Sequence, residues 1–199
     1  MAYSDFDLRK IATDFQLKIV EDQDLFSHIA EITISDLLNK ILKQNVPLAQ
    51  ALNTEKARSE LIIINIFLEL KNNLNIGLFS GIDFTVDKEK GLNGFCDFLI
   101  SQSSEQLFLK APVIVAVEAK NENIIGGLGQ CIAEMIAARL FNERENNSIS
   151  IIYGVITTGH LWKFVKLQDN TVYVDQEDYY INKPGKIISI LSEMVKQNA

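Results

Sequence analysis

The chain has 199 residues, 47% of them hydrophobic and 23% charged, with a formal net charge of -7 and a mean hydropathy of +0.08. This balance excludes a disordered or fibrous chain and suffices for one domain, residues 1–199, whose core needs no disulfide or structural metal. The acidic charge argues against a domain devoted to nonspecific nucleic-acid binding, which is ordinarily basic, although net charge does not describe the local field of a site that holds cations. Apolar runs such as residues 61–64 and 66–68, split by Asn65, are too short to cross a bilayer, so no membrane span is expected. Residues 1–10 carry acids and lack a basic-then-apolar pattern, which makes the cytoplasm the expected compartment. Cys96 and Cys131 make no metal spacing and are expected as reduced packing residues.

In chain order, residues 1–45 read as an N-terminal appendage of helical pieces around one short strand at 15–20. Residues 54–71 carry a helical apolar pattern, and short or alternating apolar runs at 78–86, 93–101 and 112–120 predict three strands. Residues 124–141, rich in Ala, Ile, Leu and Met, predict a second helix, and 149–157 a buried strand. Turn signals at Thr158-Gly159 and Asp169-Asn170 set off two further strands, 161–167 and 171–175. Pro184 suits the first turn of a last helix, 184–197. The order is αβββαβ, with additions at both ends.

Chemistry concentrates at the third predicted strand. Five apolar residues from Val113 to Val117 lead into Glu118, Ala119 and Lys120, as in a strand buried on both faces. Alternation puts Glu118 and Lys120 on one face, so a carboxylate and an ammonium leave an interior strand together. Asp97 stands among apolar residues of the preceding strand. In an antiparallel pair facing residues keep a constant index sum, and a turn within 102–110 brings Asp97 level with Glu118. Two acids so opposed repel unless a cation lies between them, and this donor set suits Mg²⁺ or Mn²⁺. The plainer alternative is that Lys120 alone neutralises one acid.

Glu60 shares a helical stripe with Ile63, Ile64 and Phe67 and is expected to head the buried face. Gln130 and Glu134, one turn apart, form a polar stripe on an otherwise apolar helix; Gln130 suits a phosphate oxygen or a metal-bound water, or the pair satisfy each other. Gly127-x-Gly129 is a weak dinucleotide signal, since Ile132 stands where a third glycine would be. His28 and His160 are expected at the surface or in turns. Trp162 and Phe164 are expected in the core rather than stacked on nucleic acid beside Lys163 and Lys166.

In order and approximate spacing, Glu60, Asp97, Glu118-x-Lys120 and Gln130 resemble the PD-(D/E)XK nuclease superfamily over residues 54–175, above all its restriction and RecB-type branches. Cys96 occupies the place of the name-giving Pro, and Glu134 that of the Tyr in the Gln-x-x-x-Tyr motif of those branches. Residues 154–165 are similar to the hairpin after the second helix in nuclease domains of type I restriction subunits. The resemblance implies a restriction-endonuclease-like α/β fold: an αβββαβ core with a mixed central sheet flanked by helices, an N-terminal helical extension, and a C-terminal hairpin plus helix. It also implies that Asp97, Glu118 and the Ala119 carbonyl bind Mg²⁺ or Mn²⁺. Lys120 would orient or activate water and stabilise charge, Glu60 would assist through the metal's water shell, and Gln130 would stand beside them. The expected activity is a metal-dependent phosphodiesterase, an endonuclease acting on DNA. A homodimer is expected, because one such domain reaches one scissile bond at a time. The rivals are a catalytically inactive nuclease-fold module that binds nucleic acid or protein, and an α/β scaffold with a structural ion pair.

Overall fold

The computed structural model describes residues 1–147 and 149–197. The chain opens with helix α1 (Leu8–Asp14), strand β1 (Lys18–Gln23) and helix α2 (Asp36–Leu52). A continuous helical stretch follows, made of α3 (Glu55–Arg58), a π-turn (Ser59–Ile63) and α4 (Ile64–Asn73). Next come β2 (Gly77–Asp83), β3 (Phe95–Ser101), β4 (Val113–Ala119), α5 (Ile124–Arg144), β5 (Ile151–Thr157), β6 (Leu161–Gln168), β7 (Thr171–Asp175), the short β8 (Tyr179–Tyr180) and α6 (Pro184–Lys196). The strands form one mixed eight-stranded sheet in the order β1-β7-β6-β5-β4-β3-β2, with β8 beside β6. The β4–β5 and β1–β7 pairs run parallel; the others run antiparallel.

Helices cover both faces of this sheet. On one side α5 lies over β4 and β5 and carries α1 on its back; on the other, α4 and α6 pack together. All seven residues of β4 are buried, as its unbroken apolar run requires of a strand covered on both faces. The layer under α4 and α6 is aromatic, with Phe67 edge-on to Trp162 at 6.0 Å and tilted against Phe98 at 5.2 Å. Trp162 and Phe164 both lie in this core, as expected.

Helix α5 is apolar nearly all round because it is the middle of a sandwich. By length and composition it matches a membrane span, but 67% of that stretch is buried inside the fold. Its glycines serve close packing rather than a dinucleotide. A Cβ on Gly129 would come within 2.4 Å of the Phe6 carbonyl oxygen, and one on Gly127 within 2.9 Å of Ile156 and 3.1 Å of the Lys120 side chain. The second of these lets the start of α5 sit directly over the ends of β4 and β5.

The N-terminal stretch is more than an appendage. β1 pairs with β7 as the edge of the main sheet, and Tyr3, Phe6 and Ile11 are buried in the α5 layer. Here a parallel partner far downstream, with Lys18 paired to Thr171, supplies the ladder, which no local pattern announces. The early helical region also runs past residue 45, through Pro47, to Leu52. The two-residue β8 carries no strand signal of its own in the sequence.

Candidate active site

The β3–β4 ladder pairs Phe98 with Val117, Leu99 with Ala116 and Ile100 with Val115. One more step in that register brings Asp97 level with Glu118, as the index sum predicts. The backbone ladder itself ends at the Phe98–Val117 pair. Gly81, level with Asp97 on β2, has φ +60°, a left-handed conformation that glycine adopts without strain. Asp97 reaches across to β4, where its Oδ2 accepts a hydrogen bond from the Ala119 N–H at 2.7 Å. Ala119 thus meets Asp97 through its amide.

Glu118 and Lys120 leave the carboxyl end of β4 beside the parallel β5, to which the Lys120 N–H is tied through the Thr157 carbonyl at 2.8 Å. The crevice outside the carboxyl ends of parallel strands is where open α/β sheets bind ligands. Lys120 Nζ is ion-paired with Glu118 Oε1 and also donates to Gln130 Oε1 at 3.2 Å. Gln130 Nε2 in turn donates to Glu134 Oε1 at 3.3 Å. Asp97, Glu118, Lys120 and Gln130, drawn from two strands and a helix, therefore form one connected group with Glu134 at its end.

The charges in this group are out of balance. Glu118 is 3% exposed and Glu134 fully buried; Oε2 of each lacks a donor from any other residue, and the two carboxyl groups lie within hydrogen-bonding reach of each other, so that one can donate a proton to the other. Burial, then the Asp97 charge, push the Glu118 carboxyl up to about 7 despite its ion pair with Lys120. Burial, then Glu118, push Glu134 well above the usual carboxylate range, and burial also raises Asp97 against the opposing Ala119 N–H and Lys120. For Lys120, burial pulls downward, but the hydrogen bond and charge of Glu118 outweigh it and hold the ammonium form. One ammonium among three carboxyl groups leaves room for a cation or protons.

Glu60 does not join this group. Its side chain is 63% exposed and pairs with Lys56 at 3.2 Å. The cause is the π-turn at Ser59–Ile63. In its wider i→i+5 turn each residue advances by less than the α-helical angle, so a stripe counted at that angle misplaces Glu60, which lies inside the turn, relative to Ile63 and Phe67. Glu55, at the start of the same helical stretch, is the helix acid whose charge reaches Lys120. The sequence marks it only as the residue after the Thr54 cap.

Three other residues singled out in the sequence lie on β6 or in the turn before it. Lys163 and Lys166 are three apart on β6 and point to opposite faces. The first donates to Asp178 at 2.7 Å and the second lies over the Tyr173 ring at 4.4 Å, so each is engaged locally. His160 sits in the β5–β6 turn against Gln50, and burial followed by the Arg58 charge lowers its pKa. It borders a cleft of about 540 Å³ between α2 and the start of α6, which contains none of Asp97, Glu118, Lys120 or Gln130.

Among the described residues, no three His, Cys, Asp or Glu side chains are gathered closely enough to enclose a metal ion. A fit to Mg²⁺ does not require that, since this ion keeps several waters and takes only one or two carboxylates. The buried Glu118 Oε2, which no N–H group reaches, and the neighbouring Asp97 match such a donor set. Comparisons with protein-family models, curated proteins and solved structures return no match. The functional reading rests on these residues.

Proposed function

We propose that this chain is a divalent-metal-dependent phosphodiesterase, a DNA endonuclease with a restriction-endonuclease-like core. The observation that carries the reading is the meeting of Asp97, Glu118 and Lys120 at the carboxyl end of β4, with an acidic oxygen there that no N–H group reaches. The run from the α3–α4 stretch through β2, β3, β4, α5 and β5 follows the αβββαβ order of that core. Phosphodiester hydrolysis needs a nucleophile available at neutral pH and positive charge beside the developing oxyanion.

In this reading Asp97 and Glu118 hold Mg²⁺ or Mn²⁺, which supplies Lewis-acid charge at the phosphate. The Ala119 N–H keeps the Asp97 carboxylate aimed at Glu118. Lys120, held as an ammonium and only partly buried, offers the charge that stabilises the phosphorane and a donor that orients water. Gln130 steers the Lys120 ammonium through its side-chain oxygen. Exclusion of bulk water by α5 strengthens each of these interactions.

One observation favours the non-catalytic rival, a nuclease-fold module that binds nucleic acid or protein. Glu118 and Gln130 take two of the three Lys120 N–H donors, and the one ammonium stands among three carboxyl groups. Incubation of the purified protein with plasmid, linear and single-stranded DNA, in Mg²⁺ and in Mn²⁺ at low salt, separates the two. Metal-dependent cleavage is expected; binding without turnover would select the rival, and neither would dismiss both.

A further inference from the structure

The cleft beside His160 has no part in the proposed chemistry, yet its lining has a chemistry of its own. At about 540 Å³ it has the size of a site for one small ligand. Leu42, Val46 and Ile181 give it apolar walls, Lys43 a cation, and His160 and Tyr180 two rings. Tyr180 is 53% exposed, so this ring is not committed to the core. In a chain of net charge -7, no Asp or Glu among the described residues lines the cleft. The lowered pKa of His160 leaves its imidazole uncharged at pH 7. Apolar walls, free ring faces, a cation and no acid suit an anion with an aromatic body, which is the chemistry of a nucleotide.

Arg58 stands between this cleft and the candidate active site. The Lys120 N–H bonds the Thr157 carbonyl, and the next carbonyl, that of Thr158, accepts from Arg58 Nη1 at 3.2 Å. Arg58 Nη2 donates to Asn53 Oδ1 at the end of α2, at 2.7 Å. Both acceptors are neutral, no ion pair among the described residues includes Arg58, and a guanidinium has donors to spare beyond these two bonds. His160 follows two residues after Thr158, so the chain from Thr157 to the cleft is at most about 11 Å long. That is the span of a few nucleotides, which rise about 3.4 Å each along a stacked strand.

We infer that the cleft is a subsite for one unpaired nucleotide of the DNA strand, a few positions from the scissile phosphate. Tyr180 stacks on its base, Lys43 meets phosphate within the cleft, and Arg58 holds a phosphate on the way to Lys120. The inference rests on the nuclease reading and adds a substrate class to it, DNA with an unpaired segment. A ring can stack on any unpaired base, because every base has a π-face, whereas a base within a duplex is already stacked on both sides. The planar fork of Arg58 suits phosphate oxygens, which a point charge does not match as well.

Fluorescence anisotropy with labelled single-stranded and duplex oligodeoxynucleotides of one length, in chelator at low salt, tests this. The proteins are wild type, Tyr180→Ala, Tyr180→Phe, Lys43→Gln and Arg58→Gln, with melting to verify folding. Wild type should bind the single strand more tightly than the duplex. Tyr180→Ala should weaken that binding roughly 5- to 150-fold, and Tyr180→Phe should retain it, since stacking needs the ring and not the hydroxyl. Lys43→Gln and Arg58→Gln should each flatten the log-log salt slope by about 0.7, one phosphate contact on a single strand, a change that loss of a merely structural residue would not cause. Should Arg58→Gln fail to fold, the exposed Tyr180 and Lys43 carry the test. Wild-type affinity in Tyr180→Ala, or equal binding of duplex and single strand, would overturn the inference, while metal-dependent cleavage by the same wild-type protein would leave the nuclease reading standing. Neither binding nor cleavage by wild type would overturn both.

Discussion

Asp175 and the Glu118–Glu134 pair are buried to a similar degree, but the protein treats them in opposite ways. Asp175, at the end of β7 and 1% exposed, accepts from the Leu25 N–H at 3.0 Å, the Glu177 N–H at 3.3 Å and the Tyr179 hydroxyl at 3.0 Å. Both of its oxygens are engaged, and the bonds tie the segment after β1 to the segment before α6. Glu118 and Glu134 share one ammonium and one amide, and each keeps an oxygen that no N–H group reaches. A buried carboxylate supplied with donors is part of the architecture. One left short of them holds a proton or a cation in their place.

The largest effect that would sharpen this contrast is on turnover. Glu118→Ala and Lys120→Ala should each lower metal-dependent DNA cleavage by at least about a hundredfold, the usual loss when a group that stabilises transition-state charge is removed. Cleavage at the wild-type rate by either folded variant would break the distinction at its functional end.

A thermal effect tests the architectural end. Asp175→Ala strands two backbone N–H groups and a hydroxyl, at a cost of about 3 kcal/mol, which lowers Tm by roughly 6–12 °C for a domain of this size. The loss should be the same in chelator and in excess Mn²⁺. A variant that melts with wild type would mean that the three donors to Asp175 contribute little.

The smallest effect is one of slope. Native Glu118, with its carboxyl pushed up to about 7, retains a proton that an unfolded Glu near about 4.3 gives up. The stabilisation is therefore complete below about pH 4.3 and is lost as pH rises toward about 7. In chelator, the Tm of wild type should fall between about pH 5 and about pH 8, and Glu118→Gln should flatten that fall. An equal slope in both proteins would show that the Glu118 proton is not linked to folding.

Much of the site is legible in the sequence. The apolar run from Val113 to Val117 announces an interior strand, alternation then puts Glu118 and Lys120 on one face, and hairpin register carries Asp97 to the level of Glu118. Gln130 is legible as a polar position on an apolar helix, and Lys120 does bond it. Glu134 reads as a substituted motif position and as the polar partner of Gln130, which does bond it; the sequence shows neither its full burial nor its approach to Glu118.

What the sequence by itself determined is local: strand alternation, the short hairpin register between β3 and β4, and the extents of β6 and β7 between their turns. These follow from backbone geometry within a few residues of the side chains concerned. The tertiary structure decided the rest. A π-turn rotated Glu60 out to solvent, α5 pressed Glu134 against Glu118, β1 became a sheet edge beside β7, and Leu25 reached Asp175 from 150 residues away. Helix phase, the filling of a buried acceptor and the choice of a parallel partner depend on contacts between distant segments, which no periodicity in a single stretch encodes.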